Sequence, residues 1–244
     1  MCLIAWSWRQ HPDYPLVVLA NRDEAHARPS VPAHWWQQAD PPILAGRDLE
    51  AGGTWLGLTP TGRFAALTNR PGPKPAGTDT PSRGGLTVQC LLPPASTARI
   101  QEELEPVARD YAGFNLLFGD GRSLAFLSNR EPAHMLDPGV HAMANGALDE
   151  PIPKVERLAG RLRDWADSHA PPAFDEWLDT LADPRPMEDG LAHSAVFVKG
   201  ERYGTRASTI VVMGADRRVH FMERTYAAGG MPGDVAHFEF ELSA

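Results

Sequence analysis

The chain opens on alternation. Cys2, Ile4, Trp6 and Trp8 share one side, and Leu3, Ala5 and Ser7 the other. That period of two predicts a β-strand. Residues 16–20 form a short apolar run, read as a buried strand, and polar Asn21-Arg22-Asp23-Glu24 follows directly. Residues 55–58 and 64–68 flank Pro60-Thr61-Gly62 and predict a hairpin. Further strands are expected at 114–118, 124–127, 140–144, 195–198, 209–213 and 219–223. The tail alternates Phe238, Phe240 and Leu242 against His237, Glu239 and Glu241, the pattern of an edge strand.

Helical spacing appears between these blocks. Ser82 is a candidate cap for a short helix running to residue 92, and Ser96 for the next. Ile100, Leu104, Val107 and Tyr111 fall on one helical face, with Pro106 placed to split it and Gly113 to stop it. Residues 152–165 carry the clearest pattern, with Pro153 in the first turn and a stripe of Val155, Leu158, Leu162 and Trp165. A second helix is expected at 174–181. Strands and helices come in blocks rather than in strict alternation, which predicts an α+β fold. No linker or internal repeat divides residues 1–244, so the expectation is a single domain.

Composition narrows the function. The formal net charge is −8, which argues against nucleic acid as partner, since no basic stripe is available to displace counterions. No apolar run approaches the ~18 residues of a membrane span. The 23 prolines, nearly twice the usual share of about 5%, gather at 29–42, 71–81 and 184–186 and predict stiff surface loops, with a mobile one at 74–81. Cys2 and Cys90 are the only cysteines. Two cysteines cannot staple a chain of this size, so free thiols in a reducing, cytoplasmic setting are expected. The apolar start lacks a basic leader and soon meets Pro12 and Pro15, unlike a signal peptide.

Four features carry candidate chemistry. A methionine before a small residue is usually trimmed, which would leave Cys2 first. Its α-amine, with a pKa of about 7.7–8.0, could then serve as base for its own thiol. From position alone the plainer reading is a small buried cysteine in a first strand. Asn21-Arg22-Asp23-Glu24 places four polar groups where burial is costly unless they are paired; a solvated turn is the alternative. Asn69 and Asn145 each stand near a strand end, where an amide can donate to a developing oxyanion or simply make a turn. Tyr203-Gly204-Thr205-Arg206 sets an arginine at a strand edge, able to clamp an anion or to make a structural salt bridge. Trp35 and Trp36 could line a pocket or pack on a sheet. His134 and His141 are too far apart to read as a metal pair, and no phosphate loop, GxSxG elbow or HExxH occurs.

In order along the chain, these segments resemble the NRDE family (transport and Golgi organisation 2). The likeness runs through Met1-Cys2-Leu3-Ile4, Ala20 to Glu24, Arg28-Pro29, Gly46-Arg47-Asp48 and Gly52-Gly53-Thr54-Trp55-Leu56-Gly57. It continues through Leu67-Thr68-Asn69-Arg70, Ser82-Arg83-Gly84, Gly113-Phe114-Asn115-Leu116-Leu117, Asn145, Pro153-Lys154-Val155 and Tyr203-Gly204-Thr205-Arg206. The resemblance implies a four-layer αββα sandwich of two antiparallel sheets, like the N-terminal-nucleophile hydrolases. It implies a site of Cys2, Arg22, Asp23, Asn69, Asn145 and Arg206 cleaving an amide or thioester bond without a metal or other cofactor. It also carries an alternative, non-catalytic binding or trafficking of haem or acyl-coenzyme A in the same cleft.

Overall fold

The computed structural model of the chain describes residues 2–73, 80–186 and 194–243. The strands are, in chain order, β1 (Cys2–Trp8), β2 (Leu16–Ala25), β3 (Ser30–Trp36), β4 (Ile43–Asp48), β5 (Leu56–Leu58), β6 (Phe64–Asn69) and β7 (Phe114–Gly119). There follow β8 (Leu124–Ser128), β9 (His134–Met135), β10 (Gly139–Met143), β11 (Tyr203–Met213), β12 (Arg218–Ala227) and β13 (Met231–Glu241). The α-helices are α1 (Gly84–Leu91), α2 (Thr97–Leu104), α3 (Pro153–Ser168) and α4 (Phe174–Leu181). Two compact units hold them, one of residues 1–27 with 138–241 and one of residues 28–137 with 242–244.

The first unit is built on a six-stranded antiparallel sheet in the order β10-β1-β2-β11-β12-β13. On one of its faces Leu3, Ala5, Val17, Leu19, Ile210 and Val212 meet the predicted α3 stripe and Trp177, Leu178 and Leu181 of α4. Helix α3 forms because Pro153 presets its first turn and its apolar residues recur at helical spacing. Full burial of each such side chain contributes about 1.5–3 kcal/mol. The second unit carries a seven-stranded antiparallel sheet in the order β3-β4-β5-β6-β7-β8-β9. There Leu67, Phe114, Leu116 and Phe118 pack against Leu86, Cys90 and Leu91 of α1 and Ile100 and Leu104 of α2. Each unit thus contributes one antiparallel sheet and one helical layer, and the fold class is α+β.

Most predicted elements stand where the pattern put them. Ser96 caps α2, its hydroxyl accepting from the Arg99 N–H at 3.3 Å, and Pro106 lies in a 3-10 turn at Glu105–Asp110 that ends this helix. The tail is an edge strand, β13, paired with β12. Four expectations change. Strand β2 does not stop at residue 20 but continues through Asn21-Arg22-Asp23-Glu24, because β1 and β11 pair with it on both sides. The proline-rich stretch 29–42 contains β3, and Pro32 is tolerated because β3 is an edge strand whose register with β4 shifts between Val31 and His34. Residues 195–198 are buried without joining a sheet. Their backbone groups turn elsewhere: the Val196 carbonyl accepts from Asn21, and the Val198 N–H donates to Thr205 Oγ1. Helix α1 is preceded by Arg83, which makes no side-chain cap, rather than capped by Ser82. Of the loop expected at 74–81, residues 74–79 lie outside the described residues.

Candidate functional site

Strand pairing places the Cys2 thiol. Cys2 is the first residue of β1 and stands directly across from Arg22 on β2. On its other side the β1–β10 ladder runs from Trp8 with Gly139 to Ile4 with Met143, where β10 ends. Cys2 and Arg22 therefore stand together at the end of two neighbouring strands, and Asn145 follows the end of a third, β10. The thiol is buried, with Cys2 8% exposed. Burial pushes its pKa up and the Asp23 carboxylate opposes its ionisation, while the Asp23 backbone N–H and the Arg22 charge pull the other way.

Successive side chains of β2 point to opposite faces. Arg22 shares the face of Cys2, whereas Asn21 and Asp23 share the face of Leu19, which packs under the helices. Asp23 is 3% exposed and compensated from several sides. Thr205 Oγ1 donates to Asp23 Oδ1 at 2.7 Å and itself accepts from the Val198 N–H at 2.9 Å. Burial raises the Asp23 pKa to about 6, with the Thr205 hydrogen bond and the charge of Lys154 among the forces that restrain it. Asn21 is satisfied throughout. Its Nδ2 donates to the carbonyls of Leu181 and Val196 at 2.8 and 2.9 Å, and its Oδ1 accepts from the Ser208 hydroxyl at 2.6 Å. The first residue of the polar quartet thus ties β2 to the segments at either end of residues 182–195.

The Tyr203-Gly204-Thr205-Arg206 segment is the other half of this arrangement. It belongs to β11, and the register against β2 shifts between Thr205 and Ala207, so Arg206 is the extra residue of a bulge. The Tyr203 hydroxyl donates to the Asp23 carbonyl at 2.9 Å. The Arg206 guanidinium donates to the carbonyls of Ala25 and His26 at 3.0 and 3.2 Å. Glycine is needed at 204, where a Cβ would stand 2.6 Å from the Val198 carbonyl oxygen. The motif clamps the polar end of β2, and the arginine anticipated as an anion clamp holds main-chain carbonyls.

Asn145 follows β10 on a turn that is itself fastened. The Asp149 carboxylate accepts from the Ala142 N–H at 2.8 Å and lies 2.7 Å from His141 Nδ1. These contacts outweigh its partial burial and lower its pKa. Asn69, the last residue of β6, belongs to the second unit and stands opposite Phe114. Beside it, Arg70 donates its backbone N–H to the Gly113 carbonyl at 2.8 Å and pairs with Glu131. Asn115 Nδ2 donates to Thr68 Oγ1 at 3.3 Å. The other shared motifs of that unit are structural as well. Asp48 pairs with Arg28 at 2.6 Å and accepts from the N–H groups of Glu50 and Ala51 at 3.0 Å. Trp36 packs into the sheet core and donates to the Ala45 carbonyl at 3.0 Å.

Three buried polar residues escaped the sequence reading. Lys154, on the first turn of α3, is 5% exposed and acts electrostatically on both Asp23 and Cys2. Thr205 is the Asp23 donor already described. Glu223 on β12 is 1% exposed and stands across from Thr209, whose hydroxyl donates to it at 3.4 Å. Thr205 and Lys154 lie inside segments that carry the family resemblance, but a lysine after Pro153 has the look of an ordinary exposed residue in a first turn. Among the described residues no group of three or more His, Cys, Asp and Glu side chains could hold a metal, and no helix is long and apolar enough to cross a membrane.

Two measurements check this geometry. Asn21→Asp would aim a carboxylate oxygen at two carbonyls, and its expected cost is about 3–5 kcal/mol of stability in urea unfolding; a loss under about 0.5 kcal/mol would contradict the clamp. Because folding raises the pKa of Asp23, its contribution to stability is fully present below the ordinary carboxylate value of 3.8 and is lost as pH rises through about 6. Asp23→Asn, which cannot titrate, should therefore gain on the parent protein by about 1–3 kcal/mol between pH 4 and pH 7. A pH-independent difference would show that Asp23 is not held in this way.

Comparison with known proteins bears on the family and the fold. The family model for Transport and Golgi organisation 2 matches residues 1–228. The human Transport and Golgi organization protein 2 homolog is 30% identical over 272 residues, spanning 98% of this chain and 96% of the relative. The Drosophila melanogaster Transport and Golgi organization protein 2 is 26% identical over 263 residues, covering 92% of each. Among solved structures, a cysteine-to-alanine mutant of conjugated bile acid hydrolase from Clostridium perfringens superposes with a TM-score of 0.58 at 8% identity, covering 98% of this chain and 92% of the other. A second variant of that enzyme gives a TM-score of 0.56. At such low identity these likenesses speak for the fold alone, which is that of the N-terminal-nucleophile hydrolases. By sequence over nearly its whole length, the chain belongs to the Transport and Golgi organisation 2 family.

Proposed function

We propose that the chain is a cysteine N-terminal-nucleophile hydrolase that cleaves an amide or thioester bond of a small molecule, using Cys2 exposed by removal of Met1. The observation that carries this reading is the thiol at the very start of a buried strand, paired across the ladder with Arg22 and governed by the buried Asp23.

In the proposed reaction the α-amine of Cys2 takes the thiol proton, and the thiolate adds to the substrate carbonyl. The carboxylate of Asp23 accepts an N–H of that amine and orients it, while Arg22, across the ladder, favours the thiolate. The amide of Asn145 donates to the developing oxyanion, a type of contact whose loss typically costs about 10²–10³ in rate. Collapse expels the amine or thiol leaving group, which takes the proton back from the α-ammonium. Water, activated by the same amine, then releases the acyl group from Cys2. Arg206 reinforces the strand end that carries Asp23, and its carbonyl contacts favour this supporting role over direct contact with the substrate's anionic part. The reaction needs no metal or organic cofactor, and the two free, buried thiols suit the reducing cytoplasm.

The intact mass of the untagged protein should lack Met1. Against a panel of acyl amides and acyl thioesters, Cys2→Ala should abolish turnover, whereas Cys90→Ala, a change in the core of the second unit, should retain it. Turnover by the Cys2→Ala variant would overturn the mechanism. A retained Met1 would do the same, and would favour the binding of haem or acyl-coenzyme A without chemistry.

A further inference from the structure

Lys154 occupies a costly place. It is 5% exposed, although a long cationic side chain is among those least often buried. It also lies one residue after Pro153 in the first turn of α3, where the positive end of the helix macrodipole disfavours a cation. Burial leaves its pKa lowered, opposed in part by the negative charges of Asp23, which lies on the sheet face that α3 packs against, and of the Cys2 thiolate. Since that interaction is mutual, the ammonium favours both anions. A neutral side chain of similar length would fill the same space without either penalty, so the charge is the feature that sets this residue apart.

The surrounding charges make its role specific. From β2 come Asp23 and Arg22, and from β1 the Cys2 thiol. From β11, Thr205 offers only a neutral hydroxyl to Asp23, and Arg206 is turned to main-chain carbonyls. Beyond β10, Asp149 is engaged by His141; on α3 itself, Arg157 is paired with Asp183. The Asp23 carboxylate alone would oppose ionisation of the thiol and would hold the amine as ammonium, unable to take a proton. Those are the two states the proposed first step has to avoid.

We propose that Lys154 is a positioning residue of the Cys2 site, whose ammonium keeps Asp23 ionised while offsetting its charge, so that the thiolate of Cys2 can form beside it. The proposal deepens the hydrolase reading and rests on it only for the use made of the thiolate; control of the thiol by Lys154 is testable without a substrate.

The experiment is the rate of Cys2 alkylation by iodoacetamide across pH 6–9 in the full-length protein, read from the mass of the N-terminal peptide. Lys154→Met should slow alkylation at pH 7 about tenfold, equivalent to a rise of about one unit in the thiol midpoint. Lys154→Arg should recover most of that loss. Should Lys154→Met not fold, Lys154→Gln carries the same test, with a neutral amide beside Asp23. A folded neutral variant that alkylates with the parent profile overturns the proposal, whatever the turnover data say. A Lys154-dependent profile in a protein that hydrolyses no amide or thioester would sustain the proposal and sink the hydrolase reading instead.

Discussion

The buried carboxylate of Asp23 is the constraint from which the rest of the first unit follows. An ionised carboxylate removed from water has to be met by donors and opposite charge or it titrates away. Here the donors come from β11 and the charge from the start of α3. This explains why segments nearly 200 residues apart share one locus: the Tyr203-Gly204-Thr205-Arg206 bulge and the Asn21-Arg22-Asp23-Glu24 strand end are two halves of one polar clamp. Cys2 receives its environment from the same clamp, because β1 pairs with β2 at a register that puts the thiol across from Arg22.

Within that clamp strand parity sets which way each side chain of β2 faces. Asn21 and Asp23 face the helices, where Asn21 has a partner for every polar atom. Arg22 faces the side of Cys2. A four-residue motif that reads as one polar patch therefore does two jobs, Asn21 locking neighbouring segments together and Arg22 and Asp23 setting charge around a thiol. Arg206 shows the same division, since the bulge that frees its side chain turns it to the carbonyls of Ala25 and His26.

How much of this was legible in the sequence depended on whether the signal was periodic. The α3 stripe of Val155, Leu158, Leu162 and Trp165 and the opening alternation of β1 are local patterns, and both elements stand where those patterns put them. The end of β2 was misplaced because its polar residues look like a turn, when cross-strand partners supplied from β1 and β11 allow them to stay in the ladder. Residues 195–198 failed in the opposite direction: their apolar run reflects burial, yet their hydrogen bonds go to Asn21 and Thr205 side chains. The candidate residues Cys2, Arg22, Asp23, Asn145 and Arg206 could be named from motif order, but their mutual register could not. Lys154 was invisible as a site residue because nothing local separates a buried lysine in a first helical turn from an exposed one.

The central claim is that Cys2 is a terminal nucleophile, and its most direct test is to trap the acyl-enzyme. The protein would be quenched in acid seconds after mixing with an activated acyl thioester, then digested and mapped by mass spectrometry. The account predicts an acyl group on the sulfur of a peptide that begins at Cys2, at a yield that rises on quenching earlier in the time course. An acyl group found only on Cys90 or on lysines, or a modified N-terminal peptide that still begins at Met1, would contradict it.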